Sequence, residues 1–480
     1  MQEFCDYEKE LEQATSQRRA AVELINTINE LWYEKSIELV LFRNPLIDKT
    51  VSQVLNLMNY SRDFVEKPID IFGVLQVAKA VQEVRKNPAR IDLGKLAYEA
   101  ELSGVDSELL NHFVHSKVEL MSSVQEVNPK DVVLYGFGRI GRLLARELMT
   151  KLGSGQQLRL RAVVTRGKID RDVLEKRASL LMTDSVHGDF NGTIEVDQDR
   201  NALLINGTTV FFISANAPED IDYTEYGIDN ALVLDNTGVY RDHEALGRHL
   251  KGKGVDRVIL TAPGKGVPNI VHGVNHKDYD PEKIDLFSAA SCTTNAITPV
   301  LKVLQDEFGI KKGHLETIHA YTNDQNLVDN MHSKYRRGRA AGLNMVITET
   351  GAGKAVSKAL PSLEGKLTSS AIRVPVPNGS LAILNLQLEK TTDKEAVNEL
   401  MKNAALNGDL VEQIKYEINN ELVSTDIIGC SAPSIFDSNA TIVDGDTIVI
   451  YVWYDNEYGY SHQVMRLAKY VAKVRRHTYY

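Results

Sequence analysis

Cysteine is nearly missing from this 480-residue chain: Cys5, Cys292 and Cys430 are its only thiols. Three scattered thiols cannot build a disulfide framework, so a reducing compartment, the cytoplasm, is expected. Excess basic charge is missing as well. A formal net charge of -10 argues against a cationic face for nucleic acid or an anionic membrane. No uninterrupted apolar run is long enough to span a bilayer. The opening MQEFCDYEKE is acidic where a secretory leader is basic and then apolar. Internal repeats and low-complexity tracts are absent, and no metal site is expected. What remains is a globular composition, 43% hydrophobic and 25% charged. The length suits two or three domains.

Glycine is scarce up to about Val127, and helical periodicity is strong there. Leu24, Ile25, Ile28, Leu31 and Trp32 share one helix face, and Val74, Val77, Ala78 and Val81 repeat the spacing. Asp106 can cap a helix carrying Leu109, Leu110, Phe113 and Val114. Asn44-Pro45 and Lys67-Pro68 mark breaks. Residues 1–128 therefore read as an all-α N-terminal domain, and Asn128-Pro129 as a linker. Short apolar runs then alternate with helices: Val132 to Tyr135, Leu158 to Val164, Leu232 to Leu234 and Val258 to Leu260. This is the pattern of a doubly wound α/β sheet. Beyond Cys292, longer alternating segments such as Ser380 to Leu388 and Thr447 to Trp453 suit an α+β domain with a mostly antiparallel sheet.

Gly136-Phe137-Gly138-Arg139-Ile140-Gly141 follows the first of those strands and opens a helix. In that context GxGxxG is a dinucleotide cradle. The first glycine makes the turn, the second admits a pyrophosphate, and the third lets helix and strand pack closely. The second strand runs into Thr165-Arg166-Gly167-Lys168, with no carboxylate before Asp170. A carboxylate there would hold a ribose 2′-hydroxyl, whereas Arg166 suits the 2′-phosphate of NADP. The cofactor is expected to be NAD or NADP.

Phe287 to Asn295 reads FSAASCTTN and leads into a helix, placing Cys292 at a helix N-terminus. That position favours the thiolate. Ser291, Thr293 and Thr294 add donors for an anion. His319 ends an apolar strand-like run and is one of twelve histidines that could partner the thiol.

YGFGRIGR, SAASCTTN, HAYTNDQ, RRGRAA, TGAGKAV, AIRVPVPN and WYDNEYGYS occur in the order seen in glyceraldehyde-3-phosphate dehydrogenases. From about Asp131 to Tyr480 the chain resembles that family. The resemblance implies a Rossmann domain over 129–291, completed by a C-terminal helix within 457–480, and a catalytic domain over 292–456. It implies phosphorylating oxidation of glyceraldehyde 3-phosphate through a thioester on Cys292, with His319 as base. It assigns Thr322 and Arg373 to the substrate phosphate. It assigns Ser291, Thr293, Thr350, Gly351 and Arg337 to inorganic phosphate. Thr237, Thr261, Asn456 and Tyr460 match cofactor-contacting positions. A homotetramer working in glycolysis or gluconeogenesis is implied too.

Two departures, Thr165-Arg166 and Asn330-Met331, fall where NAD is told from NADP. Ala296 stands where a second cysteine is common, and Asp235 replaces the usual glutamate. Two other functions compete. Erythrose-4-phosphate dehydrogenases typically lose residues like Thr322 and Gly351, which this chain keeps. A regulatory or binding protein could retain the fold, but the intact SCTTN, His319, Arg337 and Arg373 oppose it.

Overall fold

The computed structural model describes residues 7–480 except 64, 68, 85–87, 120–127 and 154–156. Cys5, Pro68 and Val127 lie outside the described residues. The chain divides into two compact units. One holds residues up to Pro129 together with Lys151–Gln157 and Val474–Tyr480; the other holds Lys130–Thr150 and Leu158–Lys473.

The first unit is helical, as its periodicity indicates. Helix Tyr7–Lys35 buries Leu24, Ile28, Leu31 and Trp32. Helix Ile71–Val84 buries Val74, Val77, Ala78 and Val81. Asp106 Oδ1 accepts from the Leu109 amide at 3.0 Å ahead of helix Leu110–Glu119. The unit is not purely helical, however, and the all-α expectation is corrected here. A four-stranded sheet runs in the order Asn44–Pro45, Ile37–Leu41, Ala89–Asp92, His477–Tyr479. Every residue of Ile37–Leu41 is buried, so the strand carries no alternation to announce it. The last strand pairs in parallel with Ala89–Asp92 across nearly the whole chain length. Val474–Tyr480 are grouped with this unit, after helix Tyr458–Val471. The buried Asp92 carboxylate ties the sheet to helix Leu93–Leu102. It accepts from the amides of Phe42, Arg43 and Lys95 at 2.8, 3.0 and 3.2 Å.

The second unit holds two sheets. The dinucleotide sheet has eight strands, and its six-stranded parallel core runs Leu286–Ser288, Val255–Leu260, Ala231–Asp235, Lys130–Tyr135, Leu158–Thr165, Thr208–Ser214. Two antiparallel strands extend it past Thr208–Ser214. The core order is that of a doubly wound nucleotide fold. The direction of winding reverses between Lys130–Tyr135 and Ala231–Asp235, so a crevice opens at their carboxyl ends.

The catalytic sheet is mostly antiparallel and has Ile310–Ala320, Ser380–Leu388 and Thr447–Tyr454 at its centre. Ala382, Leu384, Leu386, Ile448, Ile450 and Val452 fill one face. Helix Cys292–Phe308 packs on these central strands, and helix Tyr458–Val471 returns to pack on helix Arg139–Thr150.

Candidate active site

Three local structures meet around one cavity of about 710 Å³. The first is the glycine turn. Gly136 has φ +94, a backbone that L side chains rarely adopt. A methyl at Gly141 would lie 2.5 Å from the Gly136 carbonyl oxygen, so the third glycine is fixed by helix–strand packing. A methyl at Gly138 would meet no heavy atom within 4 Å. That empty side is the one a pyrophosphate needs, at a helix N-terminus whose amides face it. Gly138, Arg139 and Ile140 line the cavity. Phe137 does not; its ring is buried edge-on against Phe212 at 5.5 Å.

The second is the opposite lip, the turn after Ala231–Asp235. Thr237 donates its amide and its hydroxyl to Asp235 Oδ1 at 2.8 and 2.7 Å. Thr261 donates its hydroxyl to the Asp235 carbonyl at 3.0 Å. The fully buried Asp235 therefore holds both threonines singled out for the cofactor, and His249 Nε2 sits 3.2 Å from its other oxygen. Thr261 reaches the cavity wall.

The third is the elbow that leads into helix Cys292–Phe308. Ala290 has φ +56, a left-handed conformation rare for a residue with a Cβ, immediately before the cap. Ser291 caps the helix, its Oγ accepting from the Thr294 amide at 3.0 Å. A cap of this kind is worth about 1 kcal/mol. Cys292 is then the first helical residue, and its Sγ lies 3.5 Å from His319 Nε2. Ser291, Cys292, His319 and Thr322 all line the cavity, and so do Asn456 and Tyr460. Asn456 Oδ1 accepts from Ser380 Oγ at 2.8 Å, which orients the amide nitrogen the other way. Tyr460 donates to the Ala290 carbonyl at 2.9 Å, bracing the strained elbow from the C-terminal helix.

Electrostatics modify one expectation. Burial pushes the Cys292 thiol pKa up, and Arg373 with the helix-end donors only partly opposes it. The helix terminus alone therefore does not give the depressed thiol its position suggested. His319 is held down at about 3, by burial first and then by the Arg373 guanidinium. An Arg373 terminal nitrogen stands 2.6 Å from His319 Nδ1 and 2.8 Å from the Ala320 carbonyl. Nδ1 also lies 2.7 Å from the Ala320 carbonyl, so it faces a guanidinium that can only donate and a carbonyl that can only accept.

The remaining expected residues do not line this cavity. Thr293 turns its hydroxyl inward to Tyr454 OH at 3.0 Å, and Thr317 meets the same phenol at 2.7 Å. Arg337 binds Asp324 and Thr348 Oγ1. Thr350 and Gly351 precede helix Ala352–Ala359, with Gly351 as its cap. Arg166 is exposed just beyond its strand. Sequence reasoning missed Tyr454, Glu457, Asp184 and His187. The fixed neighbour of Asn456 in WYDNEYGYS was the one available signal for Glu457.

Comparison with known proteins fits this geometry. Residues 130–243 match the model of the glyceraldehyde 3-phosphate dehydrogenase NAD binding domain, and residues 291–456 match that of its C-terminal domain. A Pseudomonas aeruginosa glyceraldehyde-3-phosphate dehydrogenase-like protein is 48% identical over 457 residues, 94% of this chain and 98% of the relative. The chain belongs to the glyceraldehyde-3-phosphate dehydrogenase family. It is an NAD-dependent oxidoreductase. Glyceraldehyde-3-phosphate dehydrogenase 2 of Nostoc sp. is 42% identical over 71% of this chain and 98% of its own. Glyceraldehyde-3-phosphate dehydrogenase 1 of Bacillus cereus is 40% identical over 70% and 96%. Matches to these dehydrogenases thus leave nearly a third of the chain outside, whereas the Pseudomonas relative spans most of it.

Proposed function

We propose that the chain is a phosphorylating dehydrogenase that oxidises glyceraldehyde 3-phosphate with inorganic phosphate to 1,3-bisphosphoglycerate. The observation that carries this reading is Cys292 Sγ at 3.5 Å from His319 Nε2, in the cavity that the glycine turn also lines. His319 takes the Cys292 proton as sulfur adds to the aldehyde carbon and returns it to the carbonyl oxygen, and the hydroxyl so formed gives that proton back to His319 as hydride leaves. NAD, when bound, accepts the hydride. Cys292 is left as a thioester, which inorganic phosphate cleaves, returning the thiolate. Arg373 fits an anion site because its Nε is buried with no hydrogen-bond partner among the described residues. An anion that draws Arg373 off Nδ1 lets that nitrogen carry the proton toward the Ala320 carbonyl, 2.7 Å away. Nε2 is then the base facing sulfur. Thr322 in the cavity wall favours the three-carbon phosphate substrate over erythrose 4-phosphate.

NADP is proposed beside NAD. The first carboxylate after Arg166, Asp170, is engaged as the cap of helix Arg171–Met182. It accepts from the Val173 amide at 3.1 Å and leaves a cation at the strand end. A homotetramer fits the segment from Leu327 to Ile347, where Leu327, Met331, Tyr335 and Leu343 are each at least 85% exposed. Apolar surface of that extent suits burial by another copy. The cytoplasm is the proposed location.

The test is a steady-state assay of purified enzyme with glyceraldehyde 3-phosphate, with and without phosphate, using NAD and then NADP. Reduction of cofactor that depends on phosphate is expected. Equal rates without phosphate would replace phosphorolysis by hydrolysis and overturn the reading.

A further inference from the structure

Four charged or titratable side chains meet beside the cavity, and two of them, Arg139 and Glu457, line it. Arg139 opens the helix after the glycine turn. Its Nε donates to Glu457 Oε1 at 2.5 Å, and a terminal nitrogen donates to Oε2 at 2.6 Å. Asp184 accepts from both terminal nitrogens at 3.3 Å. His187 Nε2 lies 3.0 Å from Glu457 Oε2. Burial works to raise the Glu457 pKa, yet the hydrogen bonds from His187 and Arg139 outweigh it and hold the carboxyl below its ordinary value.

The cluster joins three segments that are remote in sequence. Arg139 belongs to the glycine turn. Asp184 and His187 belong to the hairpin formed by Thr183–Asp184 and Gly188–Asp189. Glu457 is the residue before helix Tyr458–Val471 and directly follows Asn456. Asp184 also shapes the hairpin turn, accepting from the Val186 and His187 amides at 2.9 and 3.0 Å. The turn presents Ser185 and Val186 to the cavity, beside Arg139 and Glu457.

Bidentate guanidinium–carboxylate pairs are strong and directional. Here both edges of the Arg139 fork are taken by protein carboxylates. The guanidinium is therefore not a free cation for the pyrophosphate, which must rely on the backbone amides of the helix end. We propose that the Asp184–Arg139–Glu457–His187 network is a positioning lock for the dinucleotide. It fixes the Ser185–Val186 wall and the Asn456 turn to the glycine turn, so that the cofactor enters a crevice already formed. Binding to a preformed crevice avoids the ordering cost that loose walls would add. The proposal rests on the reading of this cavity as the NAD site.

The experiment measures NAD dissociation constants by titration, alongside kcat and the KM for NAD. Glu457→Gln keeps the shape but removes the charge. Kd and KM for NAD should rise about tenfold, with kcat at saturating NAD within about twofold. His187→Leu should raise KM several-fold, and His187→Gln, whose amide N–H still reaches the carboxylate, should recover most of that. Iodoacetamide alkylation of Cys292 in NAD-free enzyme should stay within about twofold throughout. An unchanged Kd in Glu457→Gln overturns the lock, and so does equal weakening by His187→Leu and His187→Gln. A kcat that falls in step with alkylation would move Glu457 into the chemistry and overturn it too. Wild-type protein that fails to bind NAD would instead defeat the reading of the cavity. If Glu457→Gln does not fold, the two His187 variants decide.

Discussion

The two halves of the cavity differ in how finished they are. On the cofactor side, the polar groups that shape the walls hold one another. The Thr237 turn is tied to a buried carboxylate, Asn456 is oriented by Ser380, and the glycine turn leaves an open side where a pyrophosphate belongs. On the thiol side, the groups oppose catalysis as they stand. Burial raises the thiol pKa, and Arg373 leans on the imidazole that should accept a proton. On the proposed reading, the cofactor meets a prepared surface, and an anion drawn to Arg373 would rearrange the charges of the thiol centre. On the cofactor side Thr237, Thr261 and Asn456 are hydrogen-bonded within the protein, while Asn236 Oδ1 has no partner among the described residues. Arg373, by contrast, spends a terminal nitrogen on His319 Nδ1 and the Ala320 carbonyl, and its buried Nε has no partner among the described residues.

The largest effect should come from removing the sulfur. Cys292→Ser should abolish turnover while NAD binding stays within about twofold, because a serine hydroxyl remains protonated near neutral pH. Turnover at a substantial fraction of wild type would show that the thiol side is not the reacting side. His319→Asn should come next. Positioned proton transfer is worth on the order of a hundredfold to ten-thousandfold, and that loss should appear in kcat with the KM for NAD little changed. A rise in that KM matching the fall in kcat would erase the division between the halves.

A finer comparison lies within the glycine turn. Gly141→Ala places a methyl 2.5 Å from a backbone oxygen, so the backbone must move. Overpacking of this kind costs about 1–3 kcal/mol, and thermal unfolding should show it. Gly138→Ala meets open space and should leave unfolding unchanged while raising the KM for NAD. If both variants lost the same stability, the second glycine would be structural like the third.

Much of this division was legible in the sequence, for a physical reason. Glycine spacing after an apolar run, and SCTTN ahead of a helix, are local signals written within about ten residues. Their geometry follows from turn sterics and capping. The Arg139–Glu457 pair spans 318 positions, and Tyr454 meets Thr293 across 161. No local pattern encodes such contacts. The same limit applies to the N-terminal unit. Helices Tyr7–Lys35 and Ile71–Val84 announced themselves by periodicity. Strand Ile37–Leu41 is buried on both faces and only five residues long, and its sheet is completed by His477–Tyr479. A buried run of that length is too short to separate from a helix end by period.

The imidazole itself gives a smaller effect with a definite sign. In Arg373→Gln the His319 pKa should rise above about 3, since the guanidinium that disfavours imidazolium is gone. Burial remains, so the value should stay below the ordinary 6.5. Because the folded pKa is depressed, the unfolded chain binds the proton first, and His319 costs stability as pH falls from 6.5 toward 3. The variant should show less of that acid sensitivity. Imidazole proton shifts followed by NMR across this range would check it. A pKa that did not move would leave burial and Arg337 as the causes and remove the idea that an anion on Arg373 arms the base.

Arg166 should give the smallest effect, and it tests how far the prepared surface extends. The side chain is exposed at the end of Leu158–Thr165, so water screens whatever charge it offers. A 2′-phosphate brings its negative charge close to that position only if the adenosine end lies along the strand terminus, as the doubly wound order implies. Arg166→Asp should then turn the ratio of kcat/KM for NADP over NAD toward NAD. The change should be about thirtyfold or less, since one solvated pair contributes roughly 0–1 kcal/mol and the new carboxylate adds repulsion of similar size. Nearly all of it should sit in the KM for NADP, with kcat unchanged, because Arg166 does not line the cavity that holds Cys292. An unmoved ratio would mean that the preformed cradle ends at the pyrophosphate and that the strand end carries an ordinary surface arginine. A change in kcat for both cofactors would mean that the strand end and the thiol centre are coupled, and the two halves of the cavity would no longer be separable.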